Sequence, residues 1–546
     1  MAESYEVVVI GGGHNGLTTA AYLAKAGLSV CVVERQHNIG GGCSTEEVTL
    51  PGFKHNLHSQ GHMGGPVYTT QELEKHGATY VRPDPQYACV FRDDRSVILY
   101  QDLERTIDTI ATFSKRDAEA YRRMFQKFRD LRRIIIASWF APPMPPSNLY
   151  RLFENTADGQ ELLFLLNSSC KSVVDHYFES QQVKVWVLLA AMQGSIPLDV
   201  YGLGINIPTL FTGLHLRPYG VCVGGARNFA EALANVLRQH GGVIKKSAAV
   251  ARVLVEGGEA RGVELADGTR ILATRAIASN TSIKPLMLEL VGRERLPEEF
   301  ARQVDGYLPE EMTLFTPHYA LDGPVSYRAA RLNPDVDQAM YVSWGVETVA
   351  ELQTQINDIR IGRASRVVGA FSLSPSKHDP SQAPAGKHTG MIWQFAPFRL
   401  HGAGENWVRA GLGEWGEGGK VPKEAYADYL TERYREVAPD SFAPRNILGR
   451  HVYSPWDIVQ NNPAMFEAST HHGRCTANQM GIFRPFPGWA NYRMPIKKLY
   501  LCGGSAHPLG GVHGGPGFNC AGAIADDLGV KKWWLRESKT LRAAAR

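Results

Sequence analysis

The 546-residue sequence has no long hydrophobic run and no extended block of charge of one sign. Its best candidate for a membrane span, VWVLLAAM from Val185, is much shorter than the roughly 18 apolar residues that cross a bilayer. No basic lead and no apolar signal core precede the first predicted strand. We therefore predict neither an export signal nor a spanning helix, while peripheral membrane contact stays an open alternative.

The chain also has little net charge and no paired cysteine motif. Lys and Arg total 58 against 54 Asp and Glu, which gives a formal net charge of +4. So small a surplus over this length favours no nucleic-acid partner. The eight cysteines include no Cys-x-x-Cys pair, so we predict no metal site and no thioredoxin-type motif. Reduced thiols without a visible signal peptide predict a cytoplasmic location.

Glycine, by contrast, is abundant, with 55 residues that are concentrated in clusters. The chain is too long for one hydrophobic core, which predicts two or three structural units. The first cluster follows Val7–Ile10, a continuous apolar run typical of a strand buried on both faces. Gly11, Gly13 and Gly16 then form Gly-x-Gly-x-x-Gly, and an apolar helix and a second strand that ends at Glu34 come next.

This order of strand, glycine turn, helix, strand and acid predicts a dinucleotide site. The glycines allow a pyrophosphate to approach the helix N-terminus, where free N–H groups favour anions. A carboxylate at the tip of the second strand can accept both ribose hydroxyls. The alternative is a turn that only packs the helix on the strand. The residues assigned to the site are Gly11, Gly13, His14, Asn15, Gly16, Glu34 and Arg35.

A second glycine cluster, Gly40–Gly42, follows Glu34 by six residues. Together with the dinucleotide motif and its Glu-Arg pair, it resembles the flavoproteins that group amine oxidases with phytoene desaturases. In that superfamily the ligand is FAD, and the resemblance implies that Gly41 and Gly42 lie against its phosphates and ribitol. Many members carry Arg after the doublet, whereas this chain has Cys43, which leaves an arginine contact to the phosphates unsupported.

The segment LPGFKHNLHS, from Leu50, resembles the part of the superfamily that passes near the flavin ring. Asn56 and His58 stand where many relatives have Asp and Gly. An imidazole titrates near neutral pH, so His58 and His62 become candidates for the reaction face. The alternative is that these histidines only hydrogen-bond to the backbone.

From residue 220 the sequence predicts a glycine turn, an amphipathic helix and short strands separated by turns. The strand AAVARVLV resembles the second FAD segment of the superfamily, in which one residue contacts the adenine through backbone atoms. The resemblance assigns that contact to Val250.

The glycine-rich stretch at 499–522 resembles the C-terminal signature of carotenoid desaturases and retinol saturase, with Leu509 in place of the first of three glycines. Backbone without side chains can approach a flat ring closely, and a helix that starts near Asn519 can direct positive partial charge at a reduced flavin. His507 is the third candidate for proton transfer. The residues assigned to the cofactor are Gly503, Gly504, His513, Gly514, Gly515 and Phe518.

The predicted fold class is α/β: a Rossmann-like FAD-binding domain of the glycine-doublet type, interleaved with an α+β substrate domain. The substrate is expected where the two domains meet. The predicted segments are 1–70, 216–285 and 491–535 for the FAD domain, 71–215 and 286–490 for the substrate domain, and 536–546 for a basic tail.

The resemblance implies an FAD-dependent oxidoreductase that acts on C–C or C=C bonds of an apolar small molecule, with hydride transfer at flavin N5. His58, His62 or His507 would accept the proton. No second Gly-x-Gly-x-x-Gly unit follows a strand, so O₂ or a quinone is the predicted electron acceptor. The alternatives are a saturase or isomerase on this fold, an amine oxidase, and a flavoprotein with a non-catalytic interaction role. The sequence does not predict the oligomeric state.

Overall fold

The structure is a computed structural model that describes residues 3–401, 404–409, 415–416 and 419–537. Of the predicted basic tail, residues 538–546 lie outside this range. Among the described residues, no helix combines the length and the apolar character needed to cross a membrane.

Strands are spread along the whole described chain. They are β1 Glu3–Ile10, β2 Val30–Val33, β3 Thr45–Glu46, β4 His55–Asn56, β5 Tyr80–Val81, β6 Tyr87–Val90, β7 Ser96–Leu99, β8 Val221–Cys222, β9 Val243–Lys245, β10 Val250–Glu256, β11 Glu259–Leu265, β12 Arg270–Ser279, β13 Thr313–Leu321, β14 Tyr341–Trp344, β15 Ala370–Leu373, β16 His388–Ala396, β17 Ile447–Tyr453 and β18 Leu499–Leu501.

Helices cluster between β7 and β8, most of the others lie singly between strands, and two follow β18. They are α1 His14–Lys25, α2 Pro66–Thr70, α3 Leu103–Ala111, α4 Lys115–Phe128, α5 Leu131–Trp139, α6 Pro146–Phe153, α7 Ala157–Asn167, α8 Cys170–Tyr177, α9 Gln181–Met192, α10 Asn206–Leu216, α11 Arg227–Gln239, α12 Glu298–Asp305, α13 Val349–Arg360, α14 Pro422–Arg435, α15 Pro455–Asn461, α16 Gly515–Leu528 and α17 Trp534–Glu537.

The first sheet has the order β10-β11-β12-β1-β2-β9, and β18 pairs with the C-terminal half of β12. β1 runs parallel to β12 and β2, and β2 runs parallel to β9. The parallel strands β1, β2, β12 and β18 therefore end at one edge, which is the edge where open α/β sheets bind ligands. The predicted α/β, Rossmann-like fold class is confirmed. The strands of this sheet lie within the three segments predicted for the FAD domain.

Two helices cover this sheet close to its carboxyl edge. α1 follows the first glycine turn, and α16 packs across it so closely that a Cβ on Gly517 would lie 2.1 Å from the carbonyl oxygen of Asn15. α16 begins at Gly515, earlier than the predicted start near Asn519, because Pro516 occupies its first turn, where a missing N–H costs nothing.

The second sheet has the order β17-β13-β16-β15-β14-β6-β7 and is antiparallel except for β14 and β6. Apart from the edge strand β17, its strands are almost completely buried, since one hydrophobic core packs on each face. The core that includes Trp186 and Phe211 brings α9 and α10 against the sheet. This arrangement places apolar helices and strands opposite the ligand-binding edge of the first sheet.

Candidate functional site

A cavity of about 660 Å³ lies at the carboxyl edge of the first sheet. Its walls come from the glycine turns of the first sheet on one side and from α9, α10 and the second sheet on the other. Many of the residues predicted to bind the cofactor line it: Gly11, Gly13, His14, Asn15, Glu34, Arg35, Gly41, Gly42, Val250, Gly504 and His513. The structure thus brings together residues from all three predicted segments.

Glu34 lies at the end of β2, with 8% of its surface exposed. Its carboxylate accepts hydrogen bonds from the backbone N–H groups of Gly12 at 2.7 Å and Gln36 at 2.8 Å. Burial raises the pKa of this carboxyl group, and the two N–H donors oppose that rise. A carboxylate fixed in this way can still accept further hydrogen bonds, as two ribose hydroxyls would require.

The first glycine turn is held against two other segments. A Cβ on Gly13 would lie 2.4 Å from Nδ2 of Asn280, and a Cβ on Gly41 would lie 3.2 Å from the Cα of Gly13. Asn280 lines the cavity and directly follows β12. Sequence reasoning missed this residue, although its position after a strand of the same parallel sheet is a signal that could have found it.

Several predicted cofactor residues are not among those that line the cavity, because their backbone packs against other parts of the protein. A Cβ on Gly16 would lie 2.2 Å from the oxygen of Gly11, and one on Gly503 would lie 2.7 Å from the oxygen of Asn280. Glycine at these positions permits close packing within the protein. The same holds for Gly514 and Gly515, whose added Cβ atoms would meet Thr18, Val67, His513 and Pro508.

Phe518 is also absent from the cavity lining, since its ring packs against Tyr22 with 5.2 Å between ring centroids. The earlier start of α16 explains this position. Phe518 falls within the first turns of the helix, on the side that faces the core, and not at the helix N-terminus.

Two histidines of the cavity wall have ring nitrogens fixed by backbone groups. Nδ1 of His513 accepts a hydrogen bond from the N–H of Gly515 at 2.9 Å, so Nε2 carries the proton. That Nε2–H is buried and has no partner within the described part of the chain. His14 donates from Nε2 to the oxygen of Gly511 at 2.9 Å. Burial lowers the pKa of His513 to about 3 and that of His14 to about 4, so both rings are neutral near pH 7.

The three histidines predicted for proton transfer do not come together. His58 lines the cavity, and its Nε2 lies 3.5 Å from the hydroxyl of Tyr453. His62 and His507 are not among the residues that line it. His62 bonds through Nδ1 to the hydroxyl of Tyr80 at 2.8 Å, and His507 donates from Nε2 to the oxygen of Ser138 at 3.0 Å.

Burial sets the charge of all three of these rings. It lowers the pKa of His58 and His507 to about 4 and that of His62 to about 3. Each ring is therefore neutral near pH 7, and a gained proton would be poorly stabilised there.

His471, which lines the same cavity and hydrogen-bonds to the buried carboxylate of Glu310, was missed by sequence reasoning.

The far wall of the cavity is mainly apolar and aromatic. Its side chains come from α9, α10 and the second sheet, and they include Ala190, Leu210, Leu314, Tyr341 and Trp393. Within the described residues, no lysine lines the cavity. This wall suits an apolar molecule and gives it no side-chain ammonium group to contact.

The residues present fit a flavin dinucleotide. Glu34 can hold a ribose, and glycine backbone at Gly11, Gly41 and Gly42 leaves room beside it. The unpartnered Nε2–H of His513 is a buried donor that a ligand oxygen would satisfy. Cys43, which stands where many relatives carry Arg, is buried with Sγ 3.7 Å from Nδ1 of His14 and brings no positive charge to the site.

Comparisons with known proteins agree with this geometry. The profile of the NAD(P)-binding Rossmann-like domain family matches residues 9–74. A limonene dehydrogenase polypeptide of Castellaniella defragrans is 28% identical, with 98% of this chain and 97% of that protein covered. Pyridine nucleotide-disulfide oxidoreductase domain-containing protein 2 of Rattus norvegicus is 28% identical, with 96% and 94% covered. The lycopene-forming phytoene desaturase of a Paracoccus species is 24% identical, with 93% and 94% covered.

Solved structures share the fold over nearly the whole chain. An oxidoreductase from Methanosarcina mazei superposes with a TM-score of 0.60 at 18% identity and covers 95% of this chain and 99% of its own. Wild-type putrescine oxidase bound to putrescine superposes with a TM-score of 0.57 at 13% identity and covers 97% and 100%. At these identities the likeness concerns the fold alone.

The parallel sheet, the Glu34 site and the glycine-lined cavity define an FAD-binding oxidoreductase. Over nearly its whole length the chain is similar to relatives that include a limonene dehydrogenase polypeptide and a phytoene desaturase, as the resemblance to the phytoene desaturase and amine oxidase flavoproteins predicts. The predicted resemblance to these flavoproteins, and the predictions of an enzyme and of FAD as its cofactor, are confirmed.

Proposed function

We propose that this oxidoreductase desaturates an apolar small molecule, removing two hydrogens from adjacent carbons to form a C=C bond. The observation that carries the proposal is the composition of the cavity, in which a polar, glycine-lined edge faces an apolar wall. Leu210, Leu314 and Trp393 would bind the substrate by burial of apolar surface and would keep water out. The names of the relatives, which include limonene dehydrogenase and phytoene desaturase, support the same substrate class.

The residues of the chain bind and orient the cofactor and the substrate. When bound, FAD supplies the hydride acceptor. Glu34 and the glycine turns bind and orient the cofactor, while the apolar wall holds the carbon skeleton against its reactive face. Neutral His513 adds its Nε2–H as a donor without adding charge, while the Nε2–H of His14 is used by the oxygen of Gly511.

An amine oxidase on the same fold is the second candidate. Tyr219 and Tyr341 both line the cavity, with ring centroids 6.3 Å apart and planes at 69°, which supports an aromatic pair near the substrate. The lack of a cavity lysine among the described residues counts against the lysine-held water expected of that branch. A saturase or isomerase would use the same apolar wall.

Anaerobic bleaching of the bound flavin tests the proposal. The purified yellow protein would be mixed with a cyclic monoterpene, a linear polyene precursor or a primary amine, and the visible flavin band followed with time. We expect bleaching by one of the hydrocarbons, with a product that has gained one C=C bond by mass spectrometry. Bleaching by the amine alone would favour the second candidate, and no bleaching by any hydrocarbon would contradict desaturation.

We also propose reoxidation by O₂ or a quinone and a peripheral contact with a membrane. Exposed apolar side chains at Met144, Tyr150 and Leu216 support the contact, and Leu216 directly precedes the cavity residue Arg217. A cytoplasmic location stays a prediction. Flotation with phospholipid vesicles would test the membrane contact. If the contact exists, part of the protein should rise with the vesicles.

A further inference from the structure

His471 and Glu310 form a buried pair beside the cavity. Nδ1 of His471 lies 2.6 Å from Oε1 of Glu310. The other carboxylate oxygen accepts from the hydroxyl of Ser469 at 2.9 Å and from the backbone N–H of His471 at 3.1 Å. The side chain of Glu310 is 1% exposed and that of His471 is 16% exposed. The Glu310 carboxylate therefore binds Nδ1 of this ring, while the ring itself lines the cavity.

Glu310 is ionised in this setting. Burial alone would raise the pKa of its carboxyl group, but the neighbouring imidazole and the hydrogen bonds from His471 and Ser469 hold that pKa below its usual range. Because a carboxylate accepts and does not donate, the hydrogen on Nδ1 belongs to His471. In the neutral form of the ring, Nε2 is then the nitrogen that carries the lone pair.

The backbone of His471 is fixed by the C-terminal glycine segment. A Cβ on Gly510 would lie 2.5 Å from the Cα of His471, and one on Gly504 would lie 2.9 Å from its carbonyl oxygen. Arg484 donates to the same oxygen from Nη2 at 2.6 Å. Part of the glycine signature therefore serves to bring His471 to the cavity. Nε2 of His471 has no hydrogen-bond partner among the residues that the structure describes.

Among the described residues, Glu310 supplies the one carboxylate that is paired with His471. Burial lowers the pKa of His472 and of His513 to about 3, so both neighbours are neutral. Burial raises the pKa of the Cys475 thiol to about 12, so it stays protonated. Arg484 faces the carbonyl oxygen of His471, and the nearby Arg474 is paired with Glu311 at 2.9 Å.

Atoms of Glu310, His471 and Cys475 lie within 4.8 Å of one another, close enough to raise the question of a metal. The carboxylate is already engaged by its hydrogen-bond donors, and the thiol is protonated. The engaged carboxylate matches a hydrogen-bonded pair, and metal analysis of the purified protein distinguishes this pair from a set of metal ligands, which lose their protons when the ion binds.

We propose that His471, oriented by Glu310, accepts the substrate proton during desaturation. This inference rests on the proposed function. One substrate C–H bond breaks with its electron pair, which passes as hydride to the oxidised flavin. The adjacent C–H bond breaks, its electrons form the new C=C bond, and its proton goes to Nε2 of His471. The resulting imidazolium lies against the Glu310 carboxylate, which stabilises it.

Three variants test this assignment. His471→Asn removes the acceptor, Glu310→Gln removes the charge behind it, and Glu311→Gln is the matched control, since Glu311 pairs with Arg360 and Arg474 and does not line the cavity. In single-turnover bleaching we expect His471→Asn to be slower by about 10²–10⁴-fold, the range for loss of one acid–base group. Glu310→Gln should show a smaller loss in rate with little change in substrate affinity, and Glu311→Gln should match the unchanged protein.

A readout that needs no turnover is the NMR signal of the Nδ1–H proton in protein labelled with ¹⁵N-histidine. A strongly downfield signal should be present in the unchanged protein and in Glu311→Gln, and it should be lost or moved upfield in Glu310→Gln. Imidazole added to His471→Ala should restore part of the rate. Metal analysis of the purified protein should find no stoichiometric ion.

The possible failures are distinguishable. An unchanged protein that bleaches with no hydrocarbon contradicts the proposed function itself. Normal bleaching together with normal rates in His471→Asn and Glu310→Gln would overturn only the role of His471, as would a stoichiometric metal. Should His471→Asn fail to hold FAD, Glu310→Gln decides, since it keeps the imidazole. Full activity in Glu310→Gln without the downfield signal would then contradict the proposal.

Discussion

The first glycine segment, residues 11–16, and the last, residues 503–517, both contain glycines that line the cavity and glycines that pack on the protein, and the last segment has more of the second kind. Gly11 and Gly13 face the cavity, where a dinucleotide would lie. In the last segment Gly503 and Gly517 are held against other protein backbone, within 2.7 Å and 2.1 Å of an added Cβ. Dense glycine therefore indicates that another group closely approaches the backbone. That group can be a ligand or another part of the protein.

The comparison predicts two kinds of damage. Substitutions at the cavity edge should weaken FAD binding in a protein that still folds. Substitutions at the packed glycines should destabilise the fold whether or not FAD is present. The following predictions test this division, from the largest expected effect to the smallest.

Gly517→Ala should have the largest effect. Its Cβ would lie 2.1 Å from the backbone oxygen of Asn15, so α16 must move away from α1. Overpacking of this kind costs about 1–3 kcal/mol, and more where backbone has to shift. We expect a lower urea midpoint for unfolding in both the free and the FAD-bound protein.

The matched control is Gly522→Ala, which lies in the same helix and has no atom within 4 Å of an added Cβ. It should be neutral or slightly stabilising, because Ala is the better helix former. If Gly522→Ala destabilised as much as Gly517→Ala, the close packing of α16 on α1 would not be the cause.

Glu34→Gln should weaken FAD binding with a smaller effect on the fold. A hydrogen bond to a charged group contributes about 1.5–3 kcal/mol, which corresponds to roughly 10–150-fold in Kd. Titration of the apoprotein with FAD would measure the loss. Glu6→Gln is the control, since Glu6 also accepts a backbone N–H, from Ser29 at 2.9 Å, but lies in the middle of β1 and does not line the cavity. An equal loss of affinity in both variants would contradict the assignment.

The affinity for FAD should also depend on pH through Glu34. Burial raises the pKa of this carboxyl group above its ordinary value of 4.5, so in the free protein its ionised form lowers stability as the pH rises through the raised pKa. Ribose hydroxyls donate to the ionised form. FAD should therefore bind less tightly as the pH falls through the same window above 4.5. In Glu34→Gln this part of the pH dependence should vanish, and its persistence would assign it to another group.

The difference between the two segments also explains what sequence could predict. From Gly11 to Glu34 the strand, turn, helix and acid follow one another, so local pattern fixes their geometry. The partner of His471 lies 161 residues away, and Asn280 reaches Gly13 only because β12 pairs with β1. The start of α16 depended on Pro516, and the inward position of Phe518 followed from that start. The partners of His471 and Asn280 are set by tertiary packing over long sequence separations, whereas Pro516 is a local signal for the start of α16 that the prediction did not use.

Val250→Ala should have the smallest effect. Val250 begins β10, an edge strand, and lines the cavity, where the superfamily resemblance assigns it a contact through main-chain atoms. A main-chain contact survives the loss of two methyl groups, so the Kd for FAD should change by no more than about 2-fold, less than 0.5 kcal/mol. Val250→Pro keeps an apolar side chain but removes the N–H, which the first residue of an edge strand tolerates. Weaker FAD binding in Val250→Pro than in Val250→Ala would support a backbone contact, whereas the opposite order would assign the contact to the side chain.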